Sequence, residues 1–281
     1  CAGAMIVASI GLSGAVVAGI VGNFIDSWRL SYFIGGGMGL VLLLLRIGVY
    51  ESGMFSQLKE SGVRRGNFFA LFTSKKRLLK FFSFILIALP VWYVMGILIT
   101  LCKEMGQAFQ MKEIPTPRTA ITLAYVGITI GDVFSGWVSQ KLQSRKKALL
   151  YFLLLVVFTI VLYFLFGKFH TIFGNYELVA FYTIVILIGF ATGYWAVFMV
   201  TASELFGTNI RATVTTTAPN FVRGGTVLLL MGFTYFSSVF GTPEHPANIT
   251  GAILIGVIVM AAAFWALSRL EETYHKDLDY V

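Results

Sequence analysis

Residues 148–167 read ALLYFLLLVVFTIVLYFLFG, twenty residues without one charge, set between Arg145-Lys146-Lys147 on one side and Lys168 on the other. A hydrocarbon core about 30 Å thick demands about 20 apolar residues at a rise of about 1.5 Å each. The stretch therefore reads as a membrane-spanning helix. Working outward, the same pattern recurs at roughly 3–22, 31–49, 80–101, 119–139, 178–203, 218–240 and 249–268, which makes eight apolar runs in all. Of the 281 residues 57% are hydrophobic and 12% charged, the latter about half the share of an ordinary soluble domain. Mean hydropathy is +0.83. The expected class is an all-α polytopic membrane protein with eight transmembrane helices.

The net charge of +8 does not point to nucleic acid, because the basic residues form no continuous face between aromatic platforms. They follow a membrane rule instead. With the 51–79 connection in the cytoplasm, about fourteen Lys and Arg fall in inside loops and the tail and about five outside. Both chain ends are then cytoplasmic, and a bacterial inner membrane is the expected location. Cys1 and Cys102 are too far apart in sequence to form a framework, and no metal-ligand spacing or phosphate loop is present, so no cofactor is expected.

Residues 51–79 are polar and basic, with Gly53, Gly62 and Gly66, and form the longest connection. Two runs precede this seam and six follow it. Residues 1–50 are thus read as the last two helices of an N-terminal half, 51–79 as a cytoplasmic central loop, and 80–281 as a six-helix C-terminal half with a short tail. A chain that opens inside an apolar run without Met reads as a fragment whose first four helices are absent. Those helices, the lipid bilayer and a small-molecule substrate are the expected partners.

Three inside-facing features carry a family resemblance, the third of them a pair of segment ends. Ser203-Glu204-Leu205-Phe206-Gly207-Thr208-Asn209-Ile210-Arg211 is similar to A-E-(I/L)-F-P-T-x-(I/V/L)-R, which follows the tenth helix of the major facilitator superfamily, with Gly207 in place of proline. Gly136-Trp137-Val138-Ser139-Gln140-Lys141-Leu142-Gln143-Ser144-Arg145-Lys146 resembles that family's G-x-x-x-D-R-x-G-R-R between helices eight and nine. In this segment Gln140 replaces the acid, Gln143 the glycine and Ser144 the first arginine of the pair, so only Gly136, Lys141 and Arg145 carry over. Tyr50-Glu51-Ser52-Gly53 and Glu271-Glu272-Thr273-Tyr274 resemble P-E-S-P after helix six and P-E-T-K in the tail. The resemblance, closest to the sugar-porter and metabolite:proton symporter branches, implies a major facilitator fold fragment comprising helices 5–12 of twelve. It implies a secondary transporter, not an enzyme, working by alternating access.

On that reading Glu51, Gly136, Lys141, Arg145, Glu204, Arg211 and Glu272 form a cytoplasmic gate network, with Glu204 and Arg145 the pair expected to bridge. Individually half-exposed pairs are worth about 0–1 kcal/mol, yet a network can bias a two-state equilibrium. A charge inside a span costs about 2.5–3.5 kcal/mol on insertion scales and is correspondingly informative. Asp132 shares one polar helix face with Tyr125 and Thr129, and Arg223 shares another with Asn220. Asp132 is expected to carry a coupling proton or to balance Arg223 at similar depth. Trp92, Tyr93, Tyr194 and Trp195, together with Tyr125, Thr129 and Asn220, are the candidate cavity residues.

The sugar-porter branch marks its seventh helix with a Gln-Gln pair and an Asn-centred motif, and residues 80–101 contain neither Gln nor Asn. The expected cargo is a small polar metabolite, an organic acid, sugar or similar, moved by proton-coupled symport. Two other classes are compatible with the apolar pattern: a non-transporting receptor or scaffold of the same fold, and an intramembrane enzyme. Gly11-Leu12-Ser13-Gly14 matches the G-x-S-G of rhomboid-type proteases, but His170, His245 and His275 all fall in connections or the tail, leaving no base within the membrane.

Overall fold

The computed structural model of the chain describes residues 2–25, 27–48, 68–207, 210–240 and 249–274. Among them there is helix and no strand. In chain order the helices are α1 (Ala2–Phe24), α2 (Trp28–Leu45), α3 (Lys75–Tyr93), α4 (Cys102–Ala108), α5 (Pro117–Lys141), α6 (Arg145–Phe169), α7 (Glu177–Thr192), α8 (Trp195–Leu205), α9 (Arg211–Phe240) and α10 (Ile249–Arg269). Where they are described, the eight apolar runs are helical apart from the break at Gly193–Tyr194 and the turn at Thr100–Leu101. Four helical stretches are long and apolar enough to cross a membrane, Arg77–Ile99, Pro117–Lys141, Arg145–Leu205 and Ile249–Arg269. They make the chain an integral membrane protein. The third, 61 residues long, exceeds a single crossing and is turned at His170–Tyr176 and again between Thr192 and Trp195.

The helices end where local chemistry makes them end. Pro117 opens α5, where its missing N–H costs nothing, and Ser144 caps α6 by accepting from the Lys147 N–H at 3.1 Å. Buried Pro90 interrupts the ladder of α3, which loosens into π-type turns over Val94–Ile99. Helix α4 was not expected from the sequence, being too short and polar to stand out.

Around the core, α5 packs on α7 and α8, α3 on α9 and α10, α6 on α7 and α10, and α1 lies across α5 and α8. Phe84 of α3 stacks face to face on Phe198 of α8, with ring centroids 4.0 Å apart. The α5–α7 contact brings backbone against backbone. A methyl placed on Gly131 would sit 2.2 Å from the Phe190 carbonyl oxygen, and one on Gly193 would sit 2.6 Å from Gly131 Cα. In lipid, where apolar side chains gain nothing by leaving the solvent, such small-residue seams are what let helix backbones approach and associate.

Candidate functional site

The site is built at the end of the bundle where α5 stops, α6 starts and α8 and α10 stop. Helix α5 finishes at Lys141, and Gln143 turns the chain with φ of 48°. This is the left-handed region that a side chain makes costly. The turn delivers Arg145 to the first position of α6, with its side chain pointing back into the protein. Its Nε donates to Glu204 Oε2 at 3.2 Å and its Nη2 to Glu204 Oε1 at 3.0 Å, while Nη1 donates to Ser139 Oγ at 2.9 Å. The two side chains of this ion pair are only 2% and 3% exposed. Thr273 Oγ donates to Glu204 Oε2 at 2.8 Å, and the Arg145 guanidinium lies 4.7 Å from the Tyr274 ring centroid. The parallel fork is the strongest geometry a guanidinium and a carboxylate can adopt.

Beyond Arg269 the chain folds back over this pair. Glu272 plugs the start of α6, accepting from Ser144 Oγ, from the Arg145 N–H at 2.9 Å and from the Lys146 N–H at 3.4 Å. It also accepts from the N–H groups of Thr273 and Tyr274 at 2.9 and 3.1 Å. A carboxylate in that position meets the positive end of the helix dipole. Partial burial by itself would raise the Glu272 carboxyl; the hydrogen bonds from Ser144, Arg145, Tyr274 and Thr273 outweigh it and hold the group below its ordinary value. In return Lys146 Nζ donates to the carbonyl oxygens of Ser268 and Leu270, at 3.1 and 2.7 Å, at the end of α10. Tyr274 Oη donates to Gln140 Oε1 at 2.9 Å, and Lys80 Nζ pairs with Glu271 at 3.2 Å.

Of the expected gate residues, the fold thus gathers Arg145, Glu204 and Glu272. Gly136 is buried in α5. Lys141 points elsewhere, its Nζ 4.9 Å from the Trp137 ring centroid. Arg211 is half-buried at the first residue of α9, and Glu51 lies outside the described residues. Glu272 touches the backbone of Arg145, not its guanidinium. The hydroxyls of Ser139, Ser144, Thr273 and Tyr274 went unforeseen, because nothing in a sequence ranks one hydroxyl of a basic loop above another.

The membrane-depth candidates divide into two groups. Asp132 is wholly buried between α5 and α8, where Oδ1 accepts from the Ala196 N–H at 2.9 Å. That bond caps α8 just past the break at Gly193–Tyr194, where the chain supplies no cap of its own. Asp132 Oδ2 has no hydrogen-bond partner among the described residues. Arg223 is exposed on α9, donating to Asn220 Oδ1 at 3.3 Å with its guanidinium 6.0 Å from the Trp92 ring centroid. The expected Asp132–Arg223 pair is therefore not made: Asp132 is turned inward to a neighbouring helix end and Arg223 outward.

Two aromatic candidates also prove to be packing elements. Tyr93 Oη donates to the Ala252 carbonyl at 2.8 Å and Tyr194 Oη to the Ile87 carbonyl at 2.9 Å, both fully buried. Half-buried Trp195 stacks near Phe198 at 5.2 Å. Tyr125 and Thr129 are half-buried on α5, where Thr129 Oγ donates to the Tyr125 carbonyl at 2.8 Å. Half-buried Trp92 lies beside exposed Asn220 and Arg223. No protein-family model matches the chain, and no curated protein matches it.

Proposed function

We propose that the chain is part of a secondary transporter of the major facilitator type, moving a small polar metabolite by alternating access. One observation carries this reading: three of the segments that resemble that family's cytoplasmic motifs, those holding Arg145, Glu204 and Glu272, converge on a single buried ion pair, Arg145–Glu204, with Glu272 beside it. On this reading the eight helical runs correspond to helices five to twelve of twelve, the network lies on the cytoplasmic face, and both chain ends face the cytoplasm of a bacterial inner membrane. It is a binding and translocation protein, not an enzyme.

In the reading the network locks the cytoplasmic ends of α5, α6, α8 and α10 to one another, and it must loosen for the inside to open. Trp92, Asn220 and Arg223 form a solute-facing cluster, where a guanidinium over an indole suits a carboxylate-bearing or otherwise anionic metabolite. Asp132, with one carboxyl oxygen unpartnered beside a broken helix, is the acid assigned to the coupling proton. The test is uptake by proteoliposomes holding the full-length protein, with a pH gradient and a panel of radiolabelled organic acids and sugars. Accumulation of one class that collapses with a protonophore supports the reading. Absence of uptake and exchange across the panel, from protein shown to be folded, rejects it in favour of a receptor.

A further inference from the structure

We propose that the groove between α6 and α10 holds an anionic phospholipid, with its headgroup on Lys146 and Lys147 and an acyl chain running from Leu150 toward Val157. This depends only on the chain being embedded in a membrane, not on its transporting anything.

At the network end the groove encloses about 430 Å³ and is lined by Lys146, Lys147 and Leu150 of α6 with Phe264, Leu267 and Ser268 of α10. Farther along the same two helices lies a second cavity of about 540 Å³, bounded by apolar residues alone, among them Val157, Val161, Val257 and Met260. Leu150, Leu154, Val157 and Val161 recur at three- and four-residue steps, so they form one stripe that joins the two parts. Leu154, Val161 and Val257 are 50%, 49% and 61% exposed, which leaves the stripe open to the surrounding hydrocarbon. Helix α1 covers α5 and α8 instead.

Charge and length both select the occupant. Lys146 and Lys147 face this end with no acid among the residues lining it, and the neighbouring Glu272 carboxylate is occupied by the backbone of the first turn of α6. Lys147 is exposed, whereas Lys146 is pinned beside it by the Ser268 and Leu270 carbonyls, so one ammonium is fixed and the other can reach a phosphate. From Lys147 to Val157 is ten residues of helix, about 15 Å, or half the hydrocarbon thickness. A chain whose headgroup sits at the lysines thus ends at the second cavity. A zwitterionic lipid would fill the groove equally well but would gain nothing from the lysines.

The experiment is native mass spectrometry of the full-length protein titrated with phosphatidylglycerol and with phosphatidylcholine. Wild type should retain phosphatidylglycerol in preference, and Lys147→Gln should weaken that preference about fivefold while leaving the Lys146 bonds intact. Val157→Trp, which fills the second cavity, should weaken retention with both lysines present; Val161→Phe replaces it if that protein does not purify. Lys75→Gln, a basic residue of the α3 start, should change nothing. Equal retention of the two lipids by wild type overturns the proposal, as does an equal loss from Lys75→Gln, which would mean a diffuse basic surface. Displacement of the lipid by glycerol phosphate alone would also overturn it, since the groove would then play no part.

Discussion

The Arg145 guanidinium and the Glu204 carboxylate meet as two parallel hydrogen bonds, 3.2 and 3.0 Å long, where almost no solvent reaches either side chain. Such a pair gives little over a well-packed apolar substitute, yet breaking it on one side leaves a buried charge and costs about 3–5 kcal/mol. Arg145→Met and Glu204→Gln should each lower the unfolding midpoint of the purified protein by several degrees. The double variant should be less damaged than the sum. A double-mutant cycle with no coupling energy would refute the pairing.

Glu272 predicts an acid-side dependence. Its folded value lies below its ordinary one, so its contribution is complete above the usual carboxylate range and is lost as pH falls through the lowered folded value. Glu272→Gln should flatten the loss of stability on acidification and should leave the neutral-to-alkaline slope unchanged. Thermal melts between pH 3 and 8 would read this, and an unchanged acid limb would contradict it.

Gln143 holds a left-handed backbone at the position where the resembling loop carries glycine. Gln143→Gly should therefore stabilise by up to about 1 kcal/mol, and Gln143→Val should destabilise by about as much or more. Denaturation in mixed micelles would measure both. Identical midpoints would show that the turn relaxes freely.

The α5–α7 seam predicts a contrast between glycines. Gly131→Val would drive a side chain into the Phe190 carbonyl, whereas Gly14 has nothing within 4 Å of a Cβ. The first change should abolish the monodisperse peak in detergent chromatography, and Gly14→Ala should leave it intact.

For Asp132 the geometry predicts independence from Arg223. On the proposed transport reading, Asp132→Asn should abolish accumulation under a pH gradient while preserving substrate exchange. Adding Arg223→Gln should not restore it, because no ion pair between them is present to rebalance. Rescue by the double change would place them in contact.

Much of this was legible in advance, and the parts that were not share a cause. Runs such as 148–167 announced their helices because bilayer thickness imposes a length that no soluble core does. Glu204 and Arg145 were legible as partners because their segments carry recognisable spacing. The break before Trp195 was not, since Gly193 and Tyr194 interrupt neither apolarity nor charge in their run. Periodicity places Asp132 on a face of α5 but does not say which helix that face meets, so Arg223 was the natural guess and the Ala196 N–H the actual partner. For Tyr93 and Tyr194 the sequence does not say where the hydroxyl goes: one that reaches a carbonyl of another helix looks, in one dimension, like one facing a solute.

The exchange of side chains between α6 and α10 has a bearing on biosynthesis. The first turn of α6 receives its carboxylate from a residue 127 positions downstream, and at about 5–20 residues per second that is a delay of roughly 6–25 s. For that interval the Arg145 and Lys146 amides and the Arg145 guanidinium's cover are incomplete, while α6 is already made. The tail segment thus acts as a late-arriving keystone: the bundle's end is assembled in the order of its helices but closed only from the far end of the chain. A nascent chain arrested between Arg269 and Glu272 should leave Arg145 reachable by a guanidine-specific reagent that the finished protein excludes.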